Sequence, residues 1–309
     1  PNGQVAQFNY SPSNSNLASI TTPTGTFSYD HDLTIGKIFK TTAPNGLSNN
    51  LTWAGNLLTM EEIRNTAGTV LGSISFTYDN DFKVTNTTVK DVNNKTAAIV
   101  FTYDLDNLLT KAGTMTLTRA AKTGFVTKTT LGQAVDNYTY TATFGELATH
   151  TATVAGLPVF SETLTRDALG RVVSKTENIN GAVTDFTYAY DSAGRLIETT
   201  RNGVTYGQYV YDGNSNRIGG TQAGVAINAQ YDDQDRLITY GSKAYQYTDN
   251  GELKSVTDSG ATTNFNYDVF GNTQTIQLAN GSTVKYDVDG FNRRVNRIVN
   301  GAVNTRYLY

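Results

Sequence analysis

Cysteine is absent from the 309 residues, so disulfides and thiolate metal sites are both excluded. Histidine is nearly as scarce: His31 and His150 are the only two, and they fall in unrelated stretches. A metal site or catalytic triad would need one of them to converge with partners, and no motif spacing points to such a site or to a cofactor. Five prolines are too few for a stiff linker. Charged residues make up 17% and the net charge is −3, without a basic run, which leaves no cationic footprint for nucleic acid. No apolar stretch approaches the roughly 18 residues of a membrane-spanning helix, so no membrane insertion is expected. The polar opening Pro1-Asn2-Gly3-Gln4 does not read as a signal peptide. No helical amphipathic period of useful length appears either.

What the chain has in quantity is glycine (28), tyrosine (19) and alternating short apolar segments, the composition of many strands joined by tight turns. The tyrosines recur in similar company. Tyr190-Asp191-Ser192-Ala193-Gly194-Arg195-Leu196 is followed by Tyr211-Asp212, Tyr231-Asp232, Tyr247 with Gly251, and Tyr267-Asp268 with Gly271, spaced by 16–21 residues. Upstream the same beat reads Tyr29-Asp30, Tyr78-Asp79 and Tyr103-Asp104, and downstream Tyr286-Asp287 with Gly290. A fixed period in this range marks one supersecondary unit repeated and stacked. Phe27 and Tyr29, like Phe186 and Tyr188, share one face of a strand because side chains alternate.

Each unit reads as a β-hairpin. The Asp caps its own turn, a Gly four residues past the Tyr supplies the left-handed step, and an apolar residue restarts the next strand. A second turn closes the unit, often as Asn-Gly: Asn45-Gly46, Asn180-Gly181, Asn202-Gly203, Asn280-Gly281 and Asn300-Gly301, with Asn2-Gly3 at the start. Trp53 stands in the Tyr position of its unit and Arg166 in that of another, while the register between Arg119 and Leu147 is hard to fix. About fifteen hairpins form a single array over residues 1–309 with no domain boundary. Both ends fall inside the pattern, and the chain is expected to be a piece of a longer one.

With these copies in hand, the chain resembles the YD-repeat, or Rhs-repeat, family. Tyr190–Leu196 matches the motif position for position, and Tyr231–Leu237 does so except for Asp235 in the Gly place. Members include bacterial Rhs toxins, wall-associated bacterial proteins, shell subunits of insecticidal toxin complexes, and teneurin adhesion receptors. The resemblance implies an all-β fold, a continuous and strongly curved antiparallel sheet spiralling into a hollow shell. In toxin members that shell encloses a C-terminal toxic segment. The core-associated segment with its self-cleaving aspartyl site, and the effector after it, have no counterpart before Tyr309, so neither cleavage nor toxicity carries over to any residue here.

Other candidates read as structure. Asp258-Ser259-Gly260 has the aspartic-protease triplet but lies where a second turn belongs and lacks a paired carboxylate. Asp212-Gly213-Asn214-Ser215-Asn216 opens like a calcium loop, but Arg217 and Ala223 stand where Gly and Glu are needed. Asn86-Thr87-Thr88 fits a glycosylation pattern expected by chance in a chain rich in Asn and Thr. Arg171, Arg195, Arg217 and Arg236 follow the turns and are expected to pair with turn carboxylates. The tyrosines are expected to pack the sheet. The function that follows is structural and non-enzymatic, part of the shell of an exported, extracellular or cell-surface bacterial protein. Its partner would be an enclosed cargo chain or the rest of its own polypeptide. The alternative is an adhesion module for glycans or cell-surface proteins, able to self-assemble through its sheet edges.

Overall fold

A computed structural model describes residues 5–309, so Asn2-Gly3 lies outside the described residues. The fold is all-β, with 29 strands from Gln7–Tyr10 to Ala302–Arg306 in a single antiparallel sheet and no helix among the described residues. Strands pair with their neighbours in sequence, as Val172–Ile179 does with Ala182–Tyr190 and the latter with Leu196–Arg201.

Two turn geometries alternate. In the Asp turn, the Asp191 N–H donates to the Arg195 carbonyl (2.9 Å) and the Gly194 N–H to the Asp191 carbonyl (3.0 Å). Asp191 Oδ1 accepts the Arg195 N–H at 2.8 Å, and Gly194 takes the left-handed φ of +81° that a side chain would strain. Across the hairpin Ala189 pairs with Glu198 but Tyr190 with Leu196, leaving Ile197 as a bulge. The same bulge follows Tyr211, Tyr231, Tyr247 and Tyr267. A bulge bends its strand and adds right-handed twist, so the repeat carries its own bending device.

The second turn is a two-residue one at Asn180-Gly181, Asn202-Gly203 and Asn300-Gly301, where both residues have positive φ. Asn45-Gly46 and Asn280-Gly281 depart from that reading. Only the glycine is left-handed there, and the loops close one residue wider, Ala43 N–H to the Leu47 carbonyl and Leu278 N–H to the Ser282 carbonyl.

The repeat register is corrected in two places. The turn expected at Asp30 forms at Asp32, whose N–H reaches the Lys37 carbonyl, while Tyr29 and Asp30 pair with Thr41 and Lys40 inside a strand. A turn capped by Asp30 would need Leu33 in the left-handed region; at Asp32, one residue longer, Gly36 takes it with φ +69°. Likewise the turn expected at Asp287 forms at Asp289, and Tyr286 and Asp287 pair with Arg297 and Asn296. A shift of two leaves every side chain on its own face, so the apolar pattern cannot choose between the registers.

By contacts the chain forms two compact units, one of Pro1–Val100 with Lys243–Tyr309 and the other Phe101–Ser242. In the first, strands from its two segments pack on each other. Ile20, Phe27 and Ala43 form one core with Val288 against it, and Leu47, Ile63 and Val295 form a second. The Phe27 and Phe270 rings meet edge to face at 5.9 Å. Each such side chain is worth about 1.5–3 kcal/mol when fully buried. In the second unit only Ala229 is a buried apolar residue.

Candidate functional site

The tyrosine column does more than pack. The Tyr190 hydroxyl donates to the Val172 carbonyl, Tyr211 to Leu196 and Tyr267 to Leu253, all at 2.8 Å. Tyr78 donates to Leu58 at 2.6 Å, Tyr140 to Val126 at 2.8 Å and Tyr231 to Arg217 at 3.2 Å. The acceptor is the residue paired with the preceding column position, as Leu196 is with Tyr190. At Trp53, Arg119 and Arg166 the donor persists without tyrosine, whereas Val288, in the same position of its shifted unit, has none and packs on the first core. Trp53 Nε1 reaches the Ile38 carbonyl at 2.8 Å, Arg119 Nε that of Leu109 at 3.1 Å, and Arg166 Nη2 that of Leu147 at 3.3 Å. What Tyr, Trp and Arg bring to the position is a long, flat side chain with a donor at its tip, which ties each hairpin to the one before. That shared property could have been read from the substitutions.

The Asp and Arg of the motif complete the tie. Asp191 Oδ2 accepts Arg195 Nε at 2.7 Å, and the Arg195 guanidinium lies over the Tyr211 ring, 4.9 Å from its centroid. Arg171 does the same over Tyr190 at 4.7 Å while paired with Asp167. The Asp191 carboxyl is held below the usual range by the hydrogen bond from the Arg195 N–H and then by its guanidinium. Arg217 is corrected: it forms no ion pair among the described residues and stacks on Tyr209 at 4.3 Å, because it stands one position later, where other units have Leu.

In the first unit the same module is turned inward. Asp289, fully buried, accepts Arg293 Nε at 2.9 Å and Nη2 at 2.7 Å. Arg293 also pairs with buried Glu61 from the facing segment. Asn49 Nδ2 bridges the two acids, 2.7 Å from Glu61 Oε1 and 3.1 Å from Asp289 Oδ2, and Asn49 Oδ1 accepts the Thr41 hydroxyl at 3.2 Å. Burial works against the Arg293 charge, but its bonds to Glu61 and Asp289 outweigh this and raise its pKa. Tyr29 lies beside the cluster, its hydroxyl pushed up first by burial and then by the Asp289 charge. Gly290, expected to supply a left-handed step, serves instead as a close approach: a Cβ there would lie 2.2 Å from Thr41 Oγ1. No sequence signal marked Thr41, Asn49 or Glu61.

The remaining candidates occupy ordinary places. His31 stands in the tyrosine position of its unit, paired with Ile38. His150 Nε2 lies 2.8 Å from Asp136 Oδ1 and the ring stacks on Tyr138. Ser259-Gly260 is a two-residue turn. In the calcium-like loop, Asp212 Oδ1 accepts the backbone N–H groups of Asn214 and Asn216, and the side-chain Nδ2 of each donates to Asp235 Oδ1. Asn86 sits in the strand Val84–Lys90, bonded to Thr88. Among the described residues no group of three or more His, Cys, Asp or Glu could hold a metal ion, and no helix is long and apolar enough to cross a membrane.

The teneurin YD-shell family model matches residues 1–309. A curated relative, the tRNA3(Ser)-specific nuclease WapA of Bacillus spizizenii, is 31% identical over 116 residues, covering 34% of this chain and 5% of that protein. Of the solved structures, TcdB2-TccC3-TEV superposes with a TM-score of 0.57 at 14% identity, over 96% of this chain and 20% of that one. TcdB2-TccC3 without its hypervariable C-terminal region gives 0.52 at 12% identity, over 96% and 17%. At these identities the two structures share the fold, and the chain spans a small part of each relative's length.

Proposed function

We propose, from the premise that this chain belongs to the teneurin YD-shell family, that it is a structural segment of a large exported bacterial protein. Its tyrosine-bearing face holds an enclosed polypeptide. The observation that carries this reading is the state of that face in residues 101–242. Leu131, Val154 and Val225 share it with Tyr140 and Tyr231, judged by strand alternation and pairing, and remain 53%, 45% and 64% exposed. Apolar side chains left exposed on this face support contact with a partner chain. The opposite face carries hydroxyl pairs such as Thr187–Thr200 and Thr139–Thr149, which are suited to water, alongside exposed Val183 and Val210. The mechanism is containment: the donor column and the bulges hold the wall, and the aromatic face meets the cargo.

Neighbouring residues on opposite faces allow a direct test. A photo-crosslinking phenylalanine analogue placed at Tyr188 or at Thr187 in the full-length natural protein reports what each face touches. Polypeptide adducts from position 188, with none from 187, are the expected result. Equal labelling from both positions, or adducts to glycan alone, would replace containment with the adhesion reading.

A further inference from the structure

The unit of residues 1–100 and 243–309 contains a cavity of about 450 Å³ that the donor column does not explain. Ile38, Leu51, Trp53 and Leu58 form one wall and Phe291 faces them from the other segment. Leu51 and Glu61 are buried and mark the floor, where the Glu61 carboxylate is already matched by Arg293 and Asn49. Arg293 in turn is shared between Glu61 and Asp289. The other polar side chains of the lining are Lys37 and His31, both part-exposed. Lys37 forms no ion pair among the described residues, and its ammonium stands 5.2 Å from the centre of the Trp53 ring.

The lining thus combines apolar side chains with two basic residues, Lys37 and His31, that form no ion pair among the described residues. A neutral sugar would leave most of its hydroxyls without partners against such a lining. An organic cation would find Glu61, the carboxylate that lines the cavity, already engaged. We propose that this cavity binds a small organic carboxylate with a flat or branched apolar body, the chemistry shared by the carboxy-terminal aromatic residue of a peptide and by a free aryl carboxylate. The body covers Leu51, Leu58 and Phe291, and the carboxylate meets Lys37 and His31. This inference is independent of the containment reading.

Trp53 is the one tryptophan of the chain, so its fluorescence reports on the cavity wall without a label. N-acetyl-phenylalanine is titrated against its amide, and a tripeptide ending in phenylalanine against its amidated form. A saturable change in emission with the carboxylates is expected, with affinity about tenfold weaker for the amides and about tenfold weaker again in Lys37→Met. Lys37 lies at the edge of a turn, and an unchanged circular dichroism spectrum of the variant separates lost binding from lost fold. Tighter binding by the tripeptide assigns the site to a chain terminus, and equal binding to a free carboxylate. No saturation by about 10 mM, amides as tight as acids, or an unaffected Lys37→Met overturns the proposal.

Discussion

Asp191–Arg195 and Asp289–Arg293 are the same five-residue turn in two surroundings. Each Asp accepts the N–H of the Arg four residues on and grips its guanidinium, and each Arg lies over a tyrosine of the following hairpin. In the unit of residues 101–242 the Asp191 side chain keeps 21% of its exposure, and the Arg bonds to the neighbouring turn at the Asp212 carbonyl. In the other unit the Asp289 side chain keeps none, and the Arg reaches across to Glu61. One module therefore serves either as a surface tie between adjacent hairpins or as a buried bolt between two segments far apart in sequence. The motif does not decide between these roles; the presence of a second layer does.

The largest effect should come from withdrawing the bolt. Glu61→Ala leaves Arg293 and Asn49 partly unmatched in the interior. It should cost about 3 kcal/mol, the low end for a broken buried pair because Arg293 keeps some exposure. Arg195→Ala, its surface counterpart, should barely move the urea midpoint. Equal shifts in the two variants would erase the distinction between the units.

Next in size, Gly290→Ala drives a Cβ into the Cβ and hydroxyl of Thr41 and should cost about 1–3 kcal/mol, recovered in part by Thr41→Gly. Gly194→Ala strains only a left-handed backbone, at about 1–2 kcal/mol, and should gain nothing from Thr41→Gly. A double-mutant cycle in urea checks both. Smaller again, Tyr190→Phe removes the tyrosine donor from the Val172 carbonyl and should cost about 0.5–1.5 kcal/mol. Faster amide exchange confined to Val172–Ile179 and Ala182–Tyr190 would locate the loss.

The smallest effect concerns acid. The Asp191 and Asp232 carboxyls titrate below the ordinary range, in each case chiefly through the N–H of the Arg four residues on. A folded value below the unfolded one gives stability that is present above about pH 4 and is lost as pH falls through the folded value. Asp191→Asn should therefore flatten the acid limb of the stability profile. An unchanged slope would show that this bond adds nothing to folding.

Much of the wall was legible in the chain. The Tyr190–Leu196 copy displays the turn, its glycine and the strand restart in seven residues, because each is a local contact; the bulge at Ile197 emerges only in the pairing. The donor role of the column is half hidden in the chain: Trp53 and Arg166 stand in the place of tyrosine, but the role of their shared tip donor becomes apparent only with its carbonyl acceptor. The bolt was invisible. Thr41, Asn49 and Glu61 sit in unremarkable strand positions, and their partners lie some 230–240 residues further on.

From the sequence alone came the all-β class, the hairpin period and the face on which the tyrosines stand. These rest on turn geometry and side-chain alternation, which act within a few residues. Tertiary structure alone decided that the turn falls at Asp289 rather than Asp287, that Gly290 makes room for Thr41, and that one tyrosine face is covered while another stays open. A shift of two residues leaves alternation unchanged, so only contact with a distant strand could separate the two registers.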